Sequence, residues 1–331
     1  MGTQRRPRFA VGLTGTHLVQ LVADSGSAAL ERLDGLGAAF LALGTDRATG
    51  EPGRETLDPS VSAAALAAET ATPLLVVGAP QRDHPYNLAR RIASLDHLSG
   101  GRVGVLLAER DASAPLDAPG REAWGGARLS GGAPLGPETT RDAALVLRAL
   151  WQSFPIDAIV ADRETRVYAD ADRIVHIDHH GVFDVAGPLT VPTTPQGTPV
   201  LGWSVGTAAE AAAAVGLAEL VVGTAELVPA EAAPVVYRPV RLEDAAGPDG
   251  GAWDGAALDG AGLDGADLLL LPDPGTPLDA VIGIARDLLD RGVVEPSTGS
   301  TLRERVGLGP ALAVLEVARP AFARAPERRA S

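Results

Sequence analysis

The chain has 331 residues, of which 46% are hydrophobic but only 4% aromatic, so a sizeable core can form and must be built from Ala, Leu and Val. A formal net charge of -14 argues against a nucleic-acid or anionic-membrane partner, since either demands a basic footprint. The basic residues, His aside, are all Arg and there is no Cys, which excludes Schiff-base and P-loop lysine chemistry, disulfides, thiolate nucleophiles and cysteine-ligated metals.

In chain order, Arg5-Arg6-Pro7-Arg8 opens like a targeting signal, but the apolar run behind it, Phe9–Leu13, is too short and is interrupted by glycine. No apolar run approaches the roughly 20 residues of a membrane span, so a soluble, cytoplasmic protein is expected. Strand-like runs occur at Phe9–Leu13, Ala38–Leu43, Pro73–Gly78, Arg102–Leu107, Pro199–Trp203, Glu219–Gly223, Pro234–Val240 and Asp267–Leu271. Helix-like segments fall between or after them at Ala28–Leu36, Ser60–Thr70, Tyr86–Leu98, Glu138–Phe154, Thr207–Leu217 and Leu278–Arg291. In the third of these, Leu88, Ile92, Leu95 and Leu98 make one apolar stripe, and Gly100-Gly101 stops the helix. Alternating strands and helices imply parallel β/α units, and eight of them predict a (β/α)8 TIM barrel, an α/β fold; a doubly wound open sheet is the alternative.

Two interruptions break the rhythm. A long insertion, 112–197, lies between strands 4 and 5 and contains the Gly/Pro-rich Ala112–Pro137, the helix Glu138–Phe154 and a polar segment to Gly197. Asp249–Asp267 carries Asp-Gly-Ala at 254, 259 and 264, and glycine at that frequency reads as irregular loop. The organisation expected is one barrel domain over 1–309 with the insertion 112–197, followed by a tail, 310–331, holding a weak helix at Ala311–Val317.

His176-Ile177-Asp178-His179-His180 offers three imidazoles and a carboxylate, the ligand types of zinc or manganese. Alternation along an extended segment puts His176, Asp178 and His180 on one face, which would serve a metal-dependent hydrolase, and turns His179 away. The other reading of the segment is a hydrogen-bonded surface hairpin, which leaves the chain with no metal site.

His84-Pro85-Tyr86-Asn87-Leu88-Ala89-Arg90-Arg91 followed by Ser94-Leu95-Asp96-His97-Leu98-Ser99-Gly100-Gly101-Arg102 resembles a signature of the luciferase-like flavin-dependent monooxygenases. Arg163-Glu164-Thr165, Tyr168-Ala169-Asp170, Gly187 to Pro192, Pro195-Gln196-Gly197 and Ser300 to Leu308 extend the resemblance. The chain is most similar to the branch that contains nitrilotriacetate and dibenzothiophene-sulfone monooxygenases, as a shortened and divergent member. That resemblance implies a luciferase-like barrel that uses reduced FMN from a separate flavin reductase, together with O2, to oxidise a small organic substrate. It also implies a homodimer.

Barrels of this kind bind ligands at the C-terminal ends of their strands. After the third strand the resemblance implies that His84 and Tyr86 reach the flavin; alternatively Pro85 starts the helix and His84 is only its exposed neighbour. After the fifth, Gly206 and Thr207 open an Ala-rich helix whose free N–H groups and hydroxyl suit a phosphate, or Thr207 merely caps that helix. No catalytic residue is assigned. The strand ends Ala42-Leu43-Gly44, Ala79-Pro80, Ala108-Glu109-Arg110 and Trp203 to Thr207 lack polar residues common in the family. They motivate the alternative of a non-catalytic, flavin-poor barrel acting as a partner subunit.

Overall fold

The computed structural model describes residues 5–23, 28–49, 55–80, 83–113, 135–229, 233–245, 265–311, 313, 315 and 320–322. The chain begins with β1 (Phe9–Leu13), β2 (Leu41–Leu43), β3 (Leu74–Gly78) and β4 (Val103–Leu107). Two antiparallel hairpins follow, β5 (Ile159–Asp162) with β6 (Val167–Ala169) and β7 (Asp178–His180) with β8 (Asp184–Ala186). The last four strands are β9 (Val200–Ser204), β10 (Leu220–Val222), β11 (Val235–Arg241) and β12 (Asp267–Leu271).

Strands β1 to β4 and β9 to β12 are parallel throughout and close into a barrel, with Phe9 opposite Leu268 at the seam and Val11 opposite Leu41. Val105 pairs with Leu201, so β4 and β9 are neighbours although both hairpins lie between them in sequence. Each of the eight apolar runs contains one barrel strand. The two hairpins are separate from the barrel sheet.

The helices are α1 (Gly15–Ala23), α2 (Ala28–Asp34), α3 (Thr45–Thr49), α4 (Pro59–Leu66), α5 (Pro85–Ser99), α6 (Pro137–Gln152), α7 (Ala208–Ala214), α8 (Leu242–Ala245), α9 (Leu278–Asp290) and α10 (Leu302–Val306). The caps explain several boundaries. Asp58 accepts the Ser60 and Val61 N–H groups at the start of α4, and Gly100, at φ 69°, ends α5 in the left-handed conformation glycine adopts freely. At α10, Thr301 and Glu304 form a reciprocal capping box. Helices α1, α3 and α8 are additions to the elements read from the sequence. The Asp-Gly-Ala repeats lie outside the described residues except for Gly265 and Ala266, as do most of Ala112–Pro137 and of the expected tail helix Ala311–Val317. No helix among the described residues is long and apolar enough to cross a membrane.

Successive strand residues face opposite ways, which produces two apolar layers. Ala42, Leu75, Val77, Leu106, Leu220, Val222, Tyr237 and Leu269 pack with Leu302 and Val306 of α10 inside the barrel. Phe9, Val11, Leu41, Val76, Val105 and Trp203 pack outward against the helices. A β-carbon at Gly104 would stand 2.7 Å from Val200 O and 2.8 Å from Leu302 Cδ2, so glycine there admits the α10 plug that closes the N-terminal end of the barrel. The C-terminal end is left to form a site.

Candidate functional site

The open part of the mouth lies over the ends of β4, β9, β10, β11 and β12. Its cavity measures about 640 Å³, within the range of small-molecule sites. Ala48, Ala108, Val205, Val222, Pro239 and Leu271 give it apolar walls. Ser204, Thr224, Glu109, Glu210, Arg110 and Arg241 supply its polar groups.

Two carboxyl groups dominate one corner. Gly206 N–H donates to Glu210 Oε2 at 2.9 Å, and the Thr207 hydroxyl donates to the same oxygen at 3.0 Å. Glu210 N–H in turn donates to Thr207 Oγ1 at 3.2 Å, which caps α7. Glu210 is buried. Glu109, at the end of β4, has its carboxyl pushed above the usual carboxylate range by burial and then by the charge and hydrogen bond of Glu210.

The other part of the mouth is shut. Arg47 of α3 reaches Asp111 beyond β4, Nη1 to Oδ2 at 2.7 Å, with both side chains buried. Arg47 also donates to Leu57 O at 3.2 Å, and its own carbonyl accepts Ala112 N–H at 2.9 Å. The space left there, beside Val77 and Ala79, is only about 10 Å³. Beyond β1, Asp46 accepts Gly15 N–H at 2.9 Å. The buried His17 accepts Thr14 N–H on Nδ1 at 3.1 Å and donates from Nε2 to Thr276 O at 2.7 Å. Burial lowers its pKa, which holds the ring neutral in that tautomer.

The four residues read from the sequence as cofactor contacts are divided among different surroundings. Gly206 lines the mouth cavity and Thr207 caps the adjoining helix, with its hydroxyl and the Gly206 N–H engaged by Glu210. His84 lines a separate groove of about 740 Å³ between α4 and α5. Its Nδ1 accepts Tyr86 N–H at 3.3 Å, and its ring meets Phe183 edge-on at 6.0 Å. Tyr86 donates its hydroxyl to Pro188 O at 3.3 Å. His84 and Tyr86 thus fasten the insertion to α5. Pro85 occupies the first helical position of α5, and His84 before it is half-buried rather than exposed.

Alternation along β7 falls as expected. His179 turns inward to Asp142, Nε2 to Oδ1 at 2.8 Å, while His180 stands exposed between Asp178 and Asp184. Among the described residues no group of three or more His, Asp or Glu side chains is placed to hold a metal ion, the segment of His176, Asp178 and His180 included. Glu109, Glu210, Arg47 and Asp111 were not singled out from the sequence. The Thr207-x-x-Glu210 spacing is a capping-box pattern and is the signal that points to Glu210.

A profile described as luciferase-like monooxygenase matches residues 22–249. Dibenzothiophene-sulfone monooxygenase of Rhodococcus erythropolis is 37% identical over 120 residues, covering 35% of this chain and 25% of the relative. One component of the pristinamycin IIA synthase of Streptomyces pristinaespiralis is 38% identical over 156 residues, covering 46% and 48% respectively. Nitrilotriacetate monooxygenase component A of Aminobacter aminovorans is 35% identical over 155 residues, covering 46% and 32%. The chain thus spans between a quarter and about half of the length of these curated relatives. Among solved structures, a riboflavin lyase crystallised with modified FMN and riboflavin superposes with a TM-score of 0.64 at 20% identity, covering 91% of this chain and 96% of that one. Long-chain alkane monooxygenase gives 0.64 at 17% identity, covering 92% and 96%. Both likenesses show the fold.

Proposed function

We propose that this chain, which belongs to the luciferase-like monooxygenase family, is a flavin-dependent monooxygenase that oxidises a small organic substrate in the cavity at the C-terminal mouth of its barrel. Reduced FMN from a separate flavin reductase is the cofactor proposed, and O2 the co-substrate. The observation that carries this reading is the coincidence of the family match with one cavity of ligand size at the strand ends, where barrel enzymes place their sites. The apolar walls fit a flavin ring. The corner at Gly206 and Thr207 does not fit its phosphate, because a carboxylate already occupies both donors.

When bound, reduced flavin supplies the electrons that activate O2. The chain's own share is to seat the ring and the substrate against Val222, Pro239 and Leu271, to exclude water, and to present at the cavity wall the Glu109 carboxyl, whose pKa burial and Glu210 raise. Titration of the purified protein with FMN and with reduced FMN, followed by reductase-coupled oxygen uptake, tests this. Saturable binding and uptake that rises with an organic substrate are expected, and no binding at high micromolar concentration overturns it.

A second reading, a non-catalytic barrel acting as a partner subunit, is favoured by the Arg47–Asp111 pair that shuts part of the mouth. Substrate-dependent oxygen uptake excludes it. We also propose a cytoplasmic homodimer in which 1–309 form one barrel domain, 112–197 are the insertion and 310–331 the tail. Light scattering of the purified chain checks the dimer.

A further inference from the structure

The polar corner of the mouth cavity already contains an anion. Gly206 N–H and the Thr207 hydroxyl both donate to Glu210 Oε2, and Glu210 N–H donates back to Thr207 Oγ1, so these groups satisfy one another. Glu210 is 7% exposed, so water does little to screen its charge. Glu109 stands against it from the end of β4, where burial and the charge and hydrogen bond of Glu210 outweigh the attraction of the neighbouring Arg110. The cations that line the cavity are at its rim. Arg110 is exposed, and Arg241, 41% exposed, lies 3.4 Å from Glu243. Charges so placed are solvated and weakly attractive. The remaining wall, Ala48, Ala108, Val222, Pro239 and Leu271, offers contact area without charge.

Resting on the flavin reading above, we infer that this mouth selects a flavin by its ring system and against its phosphate, with Glu210 as the residue that sets the preference. A phosphate brought to this corner meets a buried like charge and finds both donors taken, a juxtaposition that opposes binding. An unphosphorylated ring, riboflavin or a related planar heterocycle, brings no charge to that corner and can lie on the apolar walls beside Ser204 and Thr224. The ligand class that follows is a flavin or flavin-like ring whose ribityl end carries no anion. This preference replaces the reduced FMN named above with a reduced, unphosphorylated flavin and leaves the ring chemistry and the O2 co-substrate of the proposed activity unchanged.

The test is a pair of fluorescence titrations, riboflavin and FMN, on the wild-type protein and on Glu210→Gln, which keeps an acceptor for Gly206 and Thr207 but removes the charge. The wild type is expected to bind FMN no more tightly than riboflavin. In E210Q the ratio of affinities is expected to move toward FMN by about tenfold, the scale of one lost charge contact. A wild type that binds FMN tenfold or more tightly than riboflavin overturns the inference and leaves the proposed activity standing, as does an E210Q ratio equal to that of the wild type. Failure of the wild type to bind either flavin overturns both. Should E210Q not fold, judged by circular dichroism, the wild-type ratio decides alone.

Discussion

The two ends of the barrel are built on opposite plans. At the N-terminal end, polar groups are buried and matched to one another. Gln196 donates to Asp96 Oδ1 at 2.8 Å and to Val103 O at 2.9 Å, and accepts Arg303 N–H at 3.2 Å. Arg303 reaches Glu219 at 2.7 and 3.2 Å, and Leu302 N–H donates to Gly101 O at 3.0 Å. Leu302 and Val306 fill the space between. At the C-terminal end the walls are apolar, a cavity is open, and two carboxyl groups crowd each other at Gly206. The first end spends its polar groups on holding strands, insertion and closing helix together. The second keeps its own where a ligand can reach them, which is the division expected of a barrel whose bottom stabilises and whose top acts.

The difference can be broken first at the bottom. Arg303 and Glu219 are 7% and 4% exposed, so Arg303→Ala strands a buried carboxylate, and a loss of about 3–5 kcal/mol in urea unfolding is expected. Arg303→Met combined with Glu219→Leu removes both charges and should regain most of that loss. A single variant costing under about 1 kcal/mol would mean that the pair is solvated and the two ends are alike.

The same network explains what the sequence could reveal. Asp96 of the His84–Arg102 block, Gln196 of the Pro195–Gly197 block and Arg303 of the Ser300–Leu308 block all lie in stretches that carry the family resemblance, and the fold joins them in one buried cluster. The blocks therefore report a scaffold, and they name the family without naming its chemistry here. The strands were legible because a parallel strand buried on both faces is a continuous apolar run, as in Leu74-Leu75-Val76-Val77. Helix α1, Gly-Thr-His-Leu-Val-Gln-Leu-Val-Ala, was not, since it opens on glycine and is short and rich in β-branched residues. The mouth was the least legible part. Arg47 and Asp111 are 64 residues apart, and only the closed barrel brings them into contact. The strand-end rule located the loop holding His84 and Tyr86 but not their direction, which Pro85 and the docking of Phe183 and Pro188 decide.

Asp96 sharpens the comparison through pH. Burial raises its carboxyl from the ordinary 3.8 to about 6, against the hydrogen bonds from Val103 and Gln196. Its second oxygen lies near Thr194 Oγ1 without meeting it in bonding geometry. A raised acid binds its proton in the folded state after the unfolded chain has released it. The stability it contributes is therefore full below about pH 4 and lost as pH climbs through 6, by about 3 kcal/mol at 1.36 kcal/mol per unit. Asp96→Asn keeps the acceptor for Val103 and Gln196 and removes the titration. The variant should be more stable than wild type at pH 7, with the gap shrinking to nothing near pH 4. Parallel unfolding profiles across that window would remove Asp96 from the account.

The smallest effect is expected at the mouth, and its sign is the informative part. The Glu109 carboxyl is also raised, by burial first and by Glu210 second, so its contribution is likewise present at low pH and lost as pH rises through its displaced pKa. Glu109 is only partly buried, and solvent screens the repulsion. Glu109→Gln should accordingly raise stability at pH 7 by less than about 1 kcal/mol, with the gain fading as pH falls and Glu109 takes up its proton. A bottom residue such as Arg303 destabilises when removed, whereas a residue kept for binding can stabilise when removed, because the site holds charges together that folding alone would separate. Guanidinium unfolding of wild type and E109Q at pH 4 and pH 7 measures the difference directly. A loss of stability at pH 7 would place Glu109 among the structural carboxylates and make the mouth a second scaffold rather than a site.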